Sequence, residues 1–381
     1  MEKDNNIEET INDSEEKDYS EYIDQPENLF PLAQEQFNNK DFVEGLNILD
    51  KSINYAIEKY GGEEKIEMAQ FYNKYANGLI QKLMNSDKEL SNMEKNIKIE
   101  EKESEDGEFS KNGKISENKV EGCEENEESD ENTDEVEKEV AFENLQAANR
   151  ILTKYLKKYN GKEVNSLTNK IIEYYLELGE TYYQLASLEK INLNFQQSDK
   201  YYTLSSEILK KYGNKFSLEL AGLYFELAKI LDLNPQKCLS ALFKCKIIME
   251  YHLQKEIDHI PSLTMKIDID EKDLDLDFIS YDDEKIFKNK NIIESKELME
   301  ASGPNSAIQE FLDIIKELNN RLEDVVLELQ QFDIYLKGKK QKIEDKENQN
   351  NLKNNNEKNK KAGKGGMTKD TFDFNDDYQS P

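Results

Sequence analysis

From Leu29 to Met84, and again from Phe142 to Leu253, apolar residues recur every three or four positions, in runs punctuated by Gly or Pro. Almost nothing in the chain keeps the period-two alternation of a half-buried strand. The first run reads Leu32, Ala33 and Phe37, then Phe42, Leu46, Leu49, Ile53 and Ile57, and ends at Gly61-Gly62. A further helix reads Met68, Phe71, Tyr72, Tyr75, Leu79 and Leu83. The pattern resumes at Phe142, Leu145, Ala148, Leu152, Tyr155 and Tyr159 and stops at Asn160-Gly161. Two more pairs follow, 171–191 with 195–212 and 218–233 with 237–253, with Gly213 and Pro235 breaking the pattern. The expected fold class is all-α, built from antiparallel helix pairs.

Between the first helix of the second pair and its partner, residues 85–139 lose this period. From Glu121 to Glu139 there are eleven acidic residues in nineteen, and one lysine. Glu121, Glu124, Glu125, Glu127, Glu128, Asp130, Glu131, Asp134 and Glu135 form the densest part. Such a block cannot bury enough apolar surface to offset the entropy of ordering, so it is expected to stay disordered.

The remaining boundaries follow from composition. Residues 1–26 are polar, acidic and expected to be disordered. Residues 27–84 and 140–255 carry the helix pairs, and 256–303 form a second polar, acidic insert. Residues 304–336 read as one strong amphipathic helix of coiled-coil character, with Ile308, Leu312, Ile315, Leu318, Leu322, Val325, Leu329 and Phe332. From 337 to 381 the tail is Lys/Asn-rich, low in complexity and expected to be disordered.

Charge narrows the partners. The 381 residues carry 81 Asp plus Glu against 51 Lys plus Arg, for a net charge of −30. Charged residues make up 35% of the chain, where about one quarter is ordinary. A chain of this sign repels nucleic acid and anionic membrane, so a basic protein is the natural partner. No run approaches the ~20 apolar residues of a membrane span, and the N-terminus shows no secretory pattern. Cys123, Cys238 and Cys245 suit a reducing compartment. Cys238 and Cys245 share a helix face and read as core.

Small residues at close-packing positions point to a particular helix pair. The first pair places Leu32-Ala33, Lys40-Asp41-Phe42, Gly45, Leu49 and Ser52 where the 34-residue tetratricopeptide repeat (TPR) has Leu-Gly, Gly-Asp-Tyr, Ala, Tyr and Ala. The third reads Leu178-Gly179, Tyr182, Phe195, Ser198, Tyr202 and Ser205, with a connection longer than the consensus. The fourth reads Leu227-Ala228, Leu231, Ala241, Cys245 and Ile248. The second, 68–84 with 141–159, is the pair split by the acidic block.

A TPR array interrupted in this way resembles the nuclear autoantigenic sperm protein family, which are histone chaperones. The resemblance covers about residues 29–255 and rests on Ala141-Phe142-Glu143-Asn144-Leu145-Gln146-Ala147-Ala148 after the block and on Leu178-Gly179-Glu180. The stretch Ile315 to Asp324, ending Glu323-Asp324, extends it as a capping helix. It departs in the fourth repeat, where Leu220-Ala221-Gly222 and Phe225 replace a carboxylate and a hydroxyl. The resemblance implies a TPR superhelix with a capping helix, and a histone three–histone four ligand used in storage, transport and nucleosome assembly. It also implies a nuclear protein that could shuttle with the cytoplasm. Linker histone is a second candidate partner, and a homodimer is compatible with the sequence.

TPR arrays bind on the face lined by the first helix of each pair. By repeat register that face holds Asn73, Asn77, Glu173, Leu176, Glu180, Tyr183, Phe225 and Asp232, with Phe30, Gln34, Phe37, Ile80 and Lys229 beside them. A groove of aromatics, amides and carboxylates suits a segment bearing apolar and basic side chains. The rival is an adaptor or co-chaperone scaffold for another helical or basic partner. A clamp on a peptide carboxylate would need Lys or Arg where Phe30, Gln34, Leu176 and Glu180 stand.

No catalytic residues, cofactor or metal site are expected. The two histidines, His252 and His259, flank a polar insert, and no phosphate-loop or dinucleotide motif is present. Asp268, Asp270, Asp273, Asp275 and Asp277 hint at a calcium loop but lack its glycine and closing glutamate. Short basic runs at Lys337–Lys342 and Lys358–Lys364 could act in nuclear import.

Overall fold

The computed structural model describes residues 19–105, 127–231, 234–302 and 307–362, and side chains within 19–86, 133–231, 234–300 and 307–342 of these. It divides into two units, one ending at Leu322 and the other beginning at Glu323. Among the described residues there are helices and no strands.

The first unit is a run of helix pairs. Helices α1 (Leu29–Asn38) and α2 (Phe42–Tyr60) form the first, α3 (Met68–Glu105) and α4 (Glu127–Leu156) the second. Helices α5 (Asn169–Ile191) and α6 (Phe195–Tyr212) form the third, α7 (Leu218–Ile230) and α8 (Pro235–Asp258) the fourth. Each helix packs on the next, and first helices also meet, α1 with α3 and α3 with α5. That pattern is an all-α helical-repeat superhelix, compatible with TPR-like units.

Local chemistry sets the ends. Asp41 caps α2 by accepting the Glu44 N–H at 3.1 Å, and Gly61 closes it at φ +74°, a conformation that favours glycine. Ser217 caps α7. Asn234 caps α8, with Pro235 in its first turn.

Small residues let the pairs close. Phe37 is wedged between α2 and α3, so that a Cβ at Gly45 would overlap its ring and one at Gly78 would lie 2.7 Å from it. Buried serines join backbones. Ser52 Oγ donates to the Pro26 carbonyl at 2.7 Å, and Ser198 and Ser205 donate to the Ala186 and Gly179 carbonyls at 2.8 Å each. Cys238 and Cys245 are buried; the Cys238 thiol donates to the Ala228 carbonyl at 3.5 Å, and burial pushes the Cys245 thiol up to about 12.

Several expected boundaries move. The folded chain begins before residue 27, because Tyr19 and Tyr22 pack on the α1–α2 core and Pro26 is buried. Helix α3 runs through Glu105 and α4 starts at Glu127, inside the 85–139 limits expected for the insert. Glu127, Glu128, Asp130 and Glu131 therefore fall in the first turns of α4, where the helix dipole favours negative charge. Val140 packs against the core between α3 and α4, and Glu137 pairs with Lys82 across it. Glu121, Glu124 and Glu125 lie outside the described residues. The extra length of the third pair resides in α5, which has 23 residues against 10 in α1. Its connection is three residues, Asn192 to Asn194.

The 256–303 insert is a packed strap. After α8 it runs through 3-10 turns at Glu271–Asp275 and Glu284–Phe287 and through the short helices α9 (Lys290–Ile293) and α10 (Lys296–Ser302). Ile267, Leu274, Ile279, Ile286, Ile293 and Leu298 are buried along it. Ile267, Ile293 and Leu298 share a core with Leu253 and Ile257 of α8 and with Ile308, Leu312 and Ile315 of α11 (Ala307–Ala362). Its aspartates serve lysines. Asp273 pairs with Lys285, Asp268 with Lys288, and Asp275 with Lys210 and Lys215. Among the described residues no three candidate ligands gather for a metal.

The second unit is the continuation of α11 from Glu323, helical through Ala362. The loss of apolar period at Lys337 does not end the helix. Its Lys, Glu and Gln are good helix formers and no proline interrupts them, although its asparagines are poorer ones.

Candidate functional site

Helices α3 and α5 lie side by side and each turns one face toward a shared groove. On α3 the groove residues Asn77, Ile80, Gln81 and Met84 are spaced three or four apart. On α5 the same spacing brings Tyr183, Gln184, Ser187, Lys190 and Ile191 to the opposite wall. Tyr202 of α6, Glu226 of α7 and Leu193 of the α5–α6 link complete a cavity of about 470 Å³ with a mostly apolar lining.

Most of its polar groups are paired. Ser187 Oγ donates to the Tyr183 carbonyl at 3.1 Å and sits 3.2 Å from the Tyr202 hydroxyl. The Tyr183 and Tyr202 rings meet edge-on at 5.6 Å. Burial raises both phenols, so they remain neutral donors. Glu226 accepts from Lys190 at 2.6 Å and from Lys229 at 2.7 Å. Burial alone would raise its carboxyl, but the two lysines outweigh burial and hold it below the ordinary range. Gln184 donates to Glu180 at 2.8 Å, while its buried Oε1 has no partner.

The residues expected from repeat register divide. Asn77 and Tyr183 line the groove. Glu180 stands exposed beside it, bound to Gln184. Phe225 is half-buried one residue before Glu226, with Lys229 and Arg321 4.5 and 5.1 Å from its ring centre. Asn73 is buried and clamps α3 to α5, donating to the Glu177 carboxylate at 2.6 Å and to Thr181 at 2.9 Å. It shares the face of Asn77 but lies one turn earlier on α3, where that face meets Glu177 and Thr181 of α5 before the groove opens. Glu173 pairs with Lys170 at the exposed start of α5, and Leu176 touches the turn at Gly213, so neither reaches the groove. Asp232 lies outside the described residues. In the acidic run, Asp134 is half-buried and Glu135 exposed on α4.

Register missed Lys190 and Glu226. They are 36 residues apart, and no local spacing joins them. Met84 and Leu193 carried a weak signal as large apolar residues at element ends; they are 38% and 74% exposed. A smaller hollow beside Glu64 and Tyr155 is occupied by its own ion pairs, Glu64 with Arg150 and Lys154.

Fold and groove together define an all-helical repeat protein with a largely apolar groove between α3 and α5. No protein-family model matches the chain, and no curated protein matches it.

Proposed function

We propose that this chain is a non-enzymatic histone chaperone of the interrupted-TPR kind, taking a histone three–histone four pair through the α3–α5 groove and its acidic run. The observation that carries this reading is the sharing of one helix pair by both elements. Helix α3 lines the groove as far as Met84, and α4 begins within the acidic run. A basic partner seated in the groove therefore meets tethered carboxylates at high effective concentration. The acid screens histone charge through weak, salt-sensitive contacts, and the groove supplies selectivity. DNA, with its denser charge, then takes the histone when assembly proceeds. The nucleus is the site this role requires, and the Lys-rich runs after residue 336 would serve its import.

The adaptor reading has less support. A carboxylate clamp needs uncommitted cations, and Lys190 and Lys229 at the groove both bind Glu226.

The test is competition. Histone three–histone four pairs should bind the full chain more tightly than polylysine of equal charge at about 0.15 M salt. The double variant Glu180→Lys, Tyr183→Ala should weaken histone binding about tenfold or more with helix content unchanged. Equal competition by polylysine would reduce the protein to a polyanion without a site.

A further inference from the structure

Where α3 and α5 close at one end of the groove, acceptors lack donors. Glu177, Glu180 and Gln184 stand three and four residues apart on one face of α5. The Asn73 amide donates to the Glu177 carboxylate at 2.6 Å, and the Gln184 amide donates to Glu180 at 2.8 Å. Among the described residues no lysine or arginine pairs with either carboxylate. Lys190, the cation that lines the groove, is bound to Glu226. Burial raises the Glu177 carboxyl above its ordinary range and the Glu180 charge adds to this, against Asn73 and Lys74. The amide oxygens are also unserved. Asn73 is 1% exposed and Gln184 2%, and neither Asn73 Oδ1 nor Gln184 Oε1 has a partner. Gln184 is part of the cavity wall. A buried oxygen without a donor is uncommon and marks a place where one belongs.

The missing chemistry is a cation with several N–H groups. An ammonium is a compact, strongly hydrated point charge. A guanidinium is planar, more weakly hydrated, and presents its N–H groups in a fixed fork. Two carboxylates beside an amide oxygen, in a partly buried place, suit the fork. Two turns along α5 from Gln184, about 10 Å, the groove becomes apolar. Ile191 and Leu193 line it there with Ile80 and Met84. Leu193 is held at φ +58°, a left-handed conformation that bulky side chains rarely adopt. Backbone strain of this kind gathers at binding sites. We propose that the closed end of the groove is an arginine seat. An arginine of a partner protein enters between Glu177 and Glu180 and donates to both carboxylates and to Gln184 Oε1. A large apolar side chain of the same partner, about 10 Å away, lies against Leu193. The seat rests on the groove being the binding face of the proposed function, but not on the ligand being a histone.

The probes are fluorescein-labelled nona-arginine and nona-lysine, titrated with the full chain at about 0.15 M salt and read by anisotropy. Their charge is equal, so bulk attraction is common to both and the seat adds to nona-arginine alone. The parent should bind nona-arginine about tenfold more tightly than nona-lysine. Glu177→Gln with Glu180→Gln keeps an acceptor for Asn73 and should bring the two affinities within about twofold, at unchanged helix content. Gln184→Met should weaken nona-arginine about threefold and leave nona-lysine unchanged. If the double variant loses helix, Glu180→Gln alone, at an exposed position, should still cut the preference about twofold or more. A parent without preference, or a preference that survives in the folded variants, overturns the seat. Histone three–histone four pairs, titrated alongside, separate the two readings. An arginine preference lost in the variants, with histone pairs that do not bind the parent, supports the seat and removes the histone reading. Histone pairs bound by a parent with no arginine preference remove the seat and leave that reading.

Discussion

The α5–α6 pair and the contact between α8 and the 259–302 strap solve one problem by opposite means. Between α5 and α6, small neutral groups let backbones approach. Ser198 and Ser205 each donate to a carbonyl on the facing helix, and a Cβ at Gly179 would lie 3.1 Å from Ile208. Between α8 and the strap, charge is taken inside. Lys246 is 1% exposed and donates to the Ile286 carbonyl, and its Nζ lies 3.5 Å from Glu250 Oε1. Asn289 of the strap donates to the other Glu250 oxygen at 2.8 Å. The first solution tolerates local change, because each neutral hydrogen bond contributes modestly. The second is all or none, since removing one charge strands the other in a poorly solvated site.

The largest effect should come from Glu250→Ala. It leaves Lys246 buried without its counter-ion and should cost about 3–5 kcal/mol, read from the denaturant midpoint. The matched swap Lys246→Met with Glu250→Leu should fall within about 1 kcal/mol of the parent or exceed it. If single and double variants lose equally, packing rather than charge holds the strap.

Ser205→Ala should cost about 1 kcal/mol, because the Gly179 carbonyl loses one donor but remains in its helix. A loss as large as that of Glu250→Ala would erase the contrast between the two contacts.

The smallest effect is in pH. Burial holds the Glu250 carboxyl above its ordinary range, against the opposing pull of Lys246, Asn289 and Lys288. A carboxyl raised in the folded state binds its proton there before the unfolded chain does. Its stabilising contribution is full below the unfolded value and is lost as pH rises through the folded one. Stability of the parent relative to Glu250→Gln should therefore grow as pH is lowered from neutral toward about 5. Midpoints that move in parallel would show that Glu250 does not titrate in this window.

The difference between the two contacts also decides what could be read from the sequence. Glycine and serine at repeat positions announce close helix approach, so Gly45, Gly179, Ser198 and Ser205 were legible together with the pairs they join. The strap was read as a polar insert because its aliphatic anchors are sparse. They recur at intervals of seven or five residues, Ile267, Leu274, Ile279, Ile286, Ile293 and Leu298, which matches neither helix nor strand. Lys246 and Glu250 sit four apart, a spacing shared by many exposed helix pairs, and the strap makes them interior. The groove was half legible. Register brought Asn77 and Tyr183 to it, but Asn73, on the same face one turn earlier, meets α5 itself because the two helices touch there. Lys190 and Glu226 meet only through tertiary packing.

The strap also sets a number. Stacked helix pairs have no inherent last member, since each leaves a face on which another could be laid. Here that face of α8 is taken by the chain's own next segments, the strap and the beginning of α11. The array thus stops at four pairs by occupation of its end. Grafting a fifth pair after α8 would require the strap to be removed together with its partners Lys246 and Glu250. Deleting the strap alone would leave an open end bearing a buried ion pair newly in water, and an invitation to end-to-end growth into fibres.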